Sequence, residues 1–182
     1  GCNAYLDEQR VADETDKATT TVLLTTFDSV IERVVDAAPL SSMPAITHEQ
    51  VAPRGMTALY DGIGDTLSRT AALVNGMEKM PSVAVFIPTD GAENSSNTWN
   101  KSLISAEIKR LQSEPYNWDF YFAAANQDAM AAGTSMGMQS GKCMQWGFEG
   151  TKMKSAMRSA NVAYQRKKRG ESNGDYLTSE RM

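Results

Sequence analysis

The chain has 182 residues, 41% of them hydrophobic and 22% charged, with a formal net charge of -4, which suits one globular domain with enough apolar material for a core. The acidic balance argues against a general electrostatic grip on nucleic acid or on an anionic membrane. Two cysteines, Cys2 and Cys143, are too few for a disulfide framework or a zinc cluster and fit a reducing, cytoplasmic setting, and no apolar run reaches the roughly 18 residues of a membrane span.

Taken in chain order, Cys2 to Asp16 read as a solvent-facing helix with a modest stripe of Tyr5, Leu6 and Val11. The stretch "TTTVLLTTFDS" is dense in β-branched residues and ends at Phe27 and Asp28, the signature of a strand and a tight turn. "VIERVVDAAPL" follows with almost no spacer, so it returns as an antiparallel edge strand ending near Pro39. After a polar loop, "TALYDGIGDTLSRTAALV" places Leu59, Ile63, Leu67, Leu73 and Val74 at helical spacing, and Asn75-Gly76 stops it.

"SVAVFIPT" is continuously apolar, as expected of a fully buried strand inside a parallel sheet. "NKSLISAEIKRLQS" reads as an amphipathic helix with Leu103, Ile104, Ile108 and Leu111 on one side. "WDFYFAAAN" is a strand, "QDAMAAGTSMG" a short helix and "GKCMQWGFE" a weaker strand. A last helix, "TKMKSAMRSANVAYQRKK", aligns Met153, Met157, Ala160 and Tyr164 before a polar tail. The alternation predicts an α/β fold, Rossmann-like and doubly wound: a mostly parallel sheet with one antiparallel edge strand and helices on both faces. One domain is expected over 1–166, with a polar tail over 167–182.

In such a sheet, ligands sit beyond the carboxyl ends of the strands. Asp90 follows the strand that ends at Thr89, Gly91 lets the backbone turn, and Thr57 starts the long helix on the same edge. A carboxylate and a hydroxyl are hard oxygen ligands suited to magnesium or manganese, although two oxygens alone make a poor site.

The stretches "FDS", "RGMTALYDGIG", "FIPTDGAENSS", "AAANQD" and the closing "YQR" together resemble the von Willebrand factor A domain over nearly the whole chain. The resemblance is closest to its bacterial and phage intracellular members, where a helix similar to "GCNAYLDEQ" follows the first metal-binding loop. It implies a metal-ion-dependent adhesion site built from three loops: an Asp-x-Ser-x-Ser motif, a threonine and an aspartate in a "TDG"-like turn. Thr57 and Asp90 correspond to the second and third. No Asp-x-Ser-x-Ser occurs in these residues, so the resemblance implies that the first strand and its loop are lacking and the domain is truncated at its amino end. A gap between two buried strands would leave backbone groups unpaired. Mg2+ or Mn2+ is the cofactor implied for the complete domain, with weak or no binding by this chain.

Plainer explanations stand beside each site residue. Asp90 could cap the turn and the next helix, and Thr57 could be the N-cap of its own. Asp28 is a candidate supporting residue or a hairpin-turn residue. Glu93 and Ser95, with Asn94 and Ser96, could contact metal-bound water or simply open a helix. Asp61 and Asp65 read as a solvated face, His48 as surface, the methionines as packing, and "RKKRG" as a solvated helix end. The function implied by the resemblance is a protein-binding module whose metal accepts an acidic side chain from a protein partner, with no nucleic-acid or membrane partner and no enzymatic activity. The alternatives are a metal-dependent hydrolase using Asp90 and Glu93, or a scaffold with a degenerate site.

Overall fold

The computed structural model describes residues 2–52, 55–125, 128–146 and 150–180. In order, it contains α1 (Cys2–Asp16), β1 (Thr21–Phe27), β2 (Ile31–Pro39), α2 (Leu59–Val74) and β3 (Ala84–Thr89), then α3 (Lys101–Gln112), β4 (Asp119–Ala125), α4 (Ala129–Ser135), β5 (Cys143–Trp146) and α5 (Gly150–Lys168). Of the residues read from sequence, Arg54, Asn126, Gln127 and 147–149, and the side chain of Met153, lie outside the described part.

The fold is mixed α/β, but its strands form two sheets where one was expected. β1 and β2 make an antiparallel hairpin, and β3, β4 and β5 make a parallel sheet in that order. The parallel register sets Ala84 opposite Asp119, Thr89 opposite Ala124 and Phe122 opposite Cys143. The expected antiparallel edge strand is present as β2, yet it pairs with β1 alone. The physical reason is that the tight turn after Phe27 supplies β1 with one neighbour, and no described strand lies between β1 and β3 to join the sheets.

Strand alternation on β4 explains the two helical layers. Phe120, Phe122 and Ala124 point into a core with Leu59, Ile63 and Leu67 of α2 and Ile104, Ile108 and Leu111 of α3. Tyr121 and Ala123 point the other way, against Ala156, Ala160, Ala163 and Tyr164 of α5. Helices therefore cover both faces of the parallel sheet. Full burial of a large apolar side chain contributes about 1.5–3 kcal/mol, so β4, buried at all seven residues, is the central rod of the molecule. A third cluster seats Leu6 of α1 on Leu40, Met43 and Ile46, with Val22, Leu24 and Val35 of the hairpin against it.

Three sequence expectations need correction. β3 is only half-buried, with Ile87 and Thr89 its fully buried residues, because it is an edge of its sheet. On α3, Leu103 is 49% exposed; it lies one residue off the stripe of Ile104, Ile108 and Leu111. The segment after α5 is not merely a solvated tail: Tyr176 is buried and donates its N–H to the Gly141 carbonyl at 2.9 Å, while Arg166 binds Glu180 at 2.6 Å. The methionine expectation agrees with the structure at Met136, Met138 and Met144, all buried, and His48 is exposed. No helix among the described residues is long and apolar enough to cross a membrane.

Candidate metal centre

Three segments converge at the rim where β1 and β3 end. The Asp28 carbonyl accepts the Ala58 N–H at 2.8 Å, and the Thr57 carbonyl accepts the Asn94 N–H at 3.0 Å. Asn94 closes the second half of that exchange, its side-chain oxygen accepting the Thr57 N–H at 2.8 Å. The backbone on either side of Thr57 is thereby fixed to the end of β1 and to the loop after β3.

The Thr57 hydroxyl lies against Gly91. A Cβ placed on Gly91 would sit 2.5 Å from Thr57 Oγ1, so backbone and hydroxyl approach more closely than any other residue at 91 would permit. Asp90 Cα therefore stands within about 8 Å of that hydroxyl, given the fixed spacing of adjacent Cα atoms. Asp90 is exposed. Among the described residues, neither the Asp90 carboxylate nor Thr57 Oγ1 has a hydrogen-bond or ion-pair partner. The turn itself is held by Thr89, whose hydroxyl donates to the Gly91 carbonyl at 2.8 Å.

The capping explanations do not fit this geometry. The residue before α2 is Ala58 and no side chain caps that helix there, so Thr57 is not its N-cap. Helix α3 is capped by Asn100, which accepts the Leu103 N–H at 3.1 Å, and Asp90 lies ten residues upstream. Residues 93–96 likewise belong to the loop and not to a helix start.

The other carboxylates of the rim are occupied by protein. Glu93 accepts the Tyr60 N–H and the Ser96 hydroxyl on one oxygen, at 2.9 and 2.7 Å, and the Ser95 and Ser96 N–H groups on the other, at 2.9 and 2.8 Å. Burial alone would push its carboxyl up, but these donors outweigh it and hold Glu93 below the usual glutamate range. Asp61 accepts the N–H groups of Asn97, Thr98 and Trp99 at 2.8, 3.0 and 2.6 Å; again the donors outweigh desolvation and hold its carboxyl low. Asp61 is thus a loop anchor, which corrects its reading as a solvated face, while Asp65 pairs with Arg33 at 2.5 Å on the surface. Asp28 is buried, and its Oδ1 accepts the Val30 N–H at 2.8 Å, a turn role. The Ser95 hydroxyl is shielded from solvent and has no hydrogen-bond partner among the described residues.

Asn94 and Asp61 are the residues whose roles the sequence reading does not find: it groups Asn94 with its loop neighbours as a candidate contact to metal-bound water, and it reads Asp61 as a solvated face. Asp61 left a signal, an acid in the first turn of α2; Asn94 left none beyond its polar neighbours. Set against known proteins, the chain matches no family model, no curated protein and no solved structure.

As a metal site the rim fits in part. Thr57 and Asp90 provide two free hard oxygens, and Ser95 an orphaned third in the same loop, against the six that magnesium takes. Among the described residues no three His, Cys, Asp or Glu side chains form a metal-binding group.

Proposed function

We propose that the chain is a protein-binding module of von Willebrand factor A type, whose rim contributes Thr57 and Asp90 to a divalent-metal site incomplete in this chain. The observation that carries the reading is selective occupation. Glu93, Asp61 and Asn94 are all consumed in fixing the loops, whereas the Thr57 hydroxyl, which lies against Gly91, and the exposed carboxylate of the adjoining Asp90 are left uncommitted.

Mg2+ or Mn2+ held there would offer an open coordination position to a carboxylate of a partner protein. Thr57 and Asp90 would hold it, with the Asn94 pairing orienting Thr57. Val30 and Met56, 62% and 52% exposed, flank Asp28 and Thr57 and give a partner apolar surface to cover. The hydrolase alternative draws no support from Glu93, whose two oxygens already accept four donors and leave little basicity for activating water.

The test is a Mn2+ titration followed by paramagnetic broadening of amide resonances. Broadening centred on Thr57 and Gly91, with a dissociation constant on the order of 1 mM, as weak sites with few protein oxygens show, and its loss in Thr57→Val and Asp90→Asn, is the expected result. Tight stoichiometric binding would contradict the incompleteness of the site. No broadening at the rim at tens of millimolar Mn2+ would remove the metal.

A further inference from the structure

At the end of the sheet opposite the rim, where β4 and β5 begin, an open cleft of about 590 Å³ lies between the turn before β5, the last turn of α5 and the segment that follows it. That volume is in the range of small-molecule sites, about 300–1,000 Å³. Its walls are fixed to one another. The Gly141 carbonyl accepts the Tyr176 N–H, and Gly141 approaches the Asp175 carboxylate so closely that a Cβ there would collide with it. Gly174, with φ at 87°, turns the chain where a Cβ would stand 2.9 Å from the Tyr121 hydroxyl. Arg166 donates to the Asp175 carbonyl at 2.9 Å and so ties that segment to α5.

Lys142 and Lys167 both line this cleft, and behind them lies Asp119. The two ammonium groups each stand 2.6 Å from Oδ1 of that one carboxylate, so they are no more than twice that distance apart. Lys167 also reaches Oδ2, at 2.7 Å. One negative charge thus faces two positive ones. The Lys142 side chain is only 5% exposed and that of Asp119 4%, so water screens the excess poorly. Neither lysine has another ion-pair or hydrogen-bond partner among the described residues, and an ammonium carries three donors, so both keep protons to give. The exposed Gln139 and Ser140 add an amide and a hydroxyl to the same wall.

One carboxylate stands in the wall against them, that of Asp175. It accepts the Asn173 side-chain amide at 2.8 Å and makes no ion pair with either lysine. A pair of lysines whose charge exceeds that of their protein partner, with donors to spare beside an open cleft, suits an oxyanion, which lysine meets as a compact point charge. A phosphate monoester carries close to two negative charges near neutral pH and matches two ammonium groups better than a carboxylate does. We propose that the cleft binds the phosphate group of a small molecule, its oxygens bridging Lys142 and Lys167 on the side away from Asp119. Asp175 weakens the hold on the phosphate and favours a ligand that offers it a hydroxyl or an amine. No residue of the metal rim takes part.

Inorganic phosphate is the probe, titrated into the 182-residue chain at about pH 7.5, where it is mostly the dianion. Chloride keeps the ionic strength constant, and amide resonances are followed. Saturable shifts at Gly141, Lys142 and Gly174 are expected, with a dissociation constant on the order of 1 mM for so small a ligand. Lys167→Gln is expected to weaken binding about tenfold, the loss of one charge-assisted hydrogen bond, and Lys167→Arg, which keeps the charge, to retain it. Asp175→Asn removes the opposing charge and still accepts from Asn173, so it is expected to tighten binding about threefold. The absence of a saturable shift in the cleft by about 50 mM phosphate overturns the site, as does unchanged affinity in a folded Lys167→Gln. If Lys167→Gln fails to fold, unchanged or weaker binding by Asp175→Asn overturns it instead. Acetate binding as tightly as phosphate overturns the choice of phosphate in favour of a carboxylate ligand.

Discussion

Gly62 and Gly64 of α2 show how single residues hold the rim in place. A Cβ on Gly62 would lie 2.7 Å from Phe27, and one on Gly64 would strike the Trp99 indole. Replacing a helical glycine by alanine ordinarily stabilises by up to about 1 kcal/mol. Here the rings of β1 and of the loop after β3 occupy the space, so the sign reverses. Gly64→Ala is expected to destabilise the chain by about 1–3 kcal/mol, the range of overpacked sites, measured as a lower urea midpoint with unchanged slope. The glycines were visible in "YDGIGDT", but which rings they receive was not, because Phe27 and Trp99 are more than thirty residues away in the chain. Thr57 had looked like a cap; its true neighbour is the backbone of Gly91.

At the scale of elements, α2 and the loop between β3 and α3 are bound by two carboxylates pointing in opposite senses. Glu93 reaches from the loop to the Tyr60 N–H at the start of α2, and Asp61 reaches from α2 to three loop N–H groups. Both carboxyls are lower in the folded state than their ordinary values of 4.5 and 3.8. Depressed folded values mean that the unfolded chain binds protons first as pH falls. The stabilisation is therefore complete above those ordinary values and is lost as pH drops through them toward the folded ones. Urea denaturation between pH 7 and pH 3 is expected to show a fall in stability below about pH 4.5, smaller in the Glu93→Gln, Asp61→Asn double variant. An equal fall in that variant would assign the loss to other acids.

Over the whole molecule, Asp119 performs a comparable task at the opposite end of the sheet. It begins β4, is buried, and accepts from Lys142 and Lys167, each at 2.6 Å. One carboxylate so joins β4, the turn before β5 and α5. Lys142 is itself almost wholly buried, and removing its partner would strand the ammonium. Asp119→Ala is expected to cost about 3–5 kcal/mol, the range for breaking a buried pair from one side, and Asp119→Asn less, since an amide still accepts. Thermal melts of the two variants measure the difference. The sequence-level view of "RKKRG" as a solvated helix end missed Lys167 for the same reason that it missed the docked Tyr176. Polar residues near a chain end carry no local mark of a partner forty-eight residues distant.

By itself the sequence determined the elements and their order, because apolar periodicity and turn chemistry are local: α1, β1, β2 and β4 fall where the patterns put them. It also determined that Thr57 and Asp90 sit on one edge, since strand and helix alternation allows few other arrangements. Only the tertiary structure decided that the strands divide into two sheets, that β3 is an edge and not a centre, and that Glu93 and Asp61 are anchors. Those outcomes depend on which backbone groups find partners across long separations, and a hydrogen bond between remote segments leaves no trace in the pattern of either one.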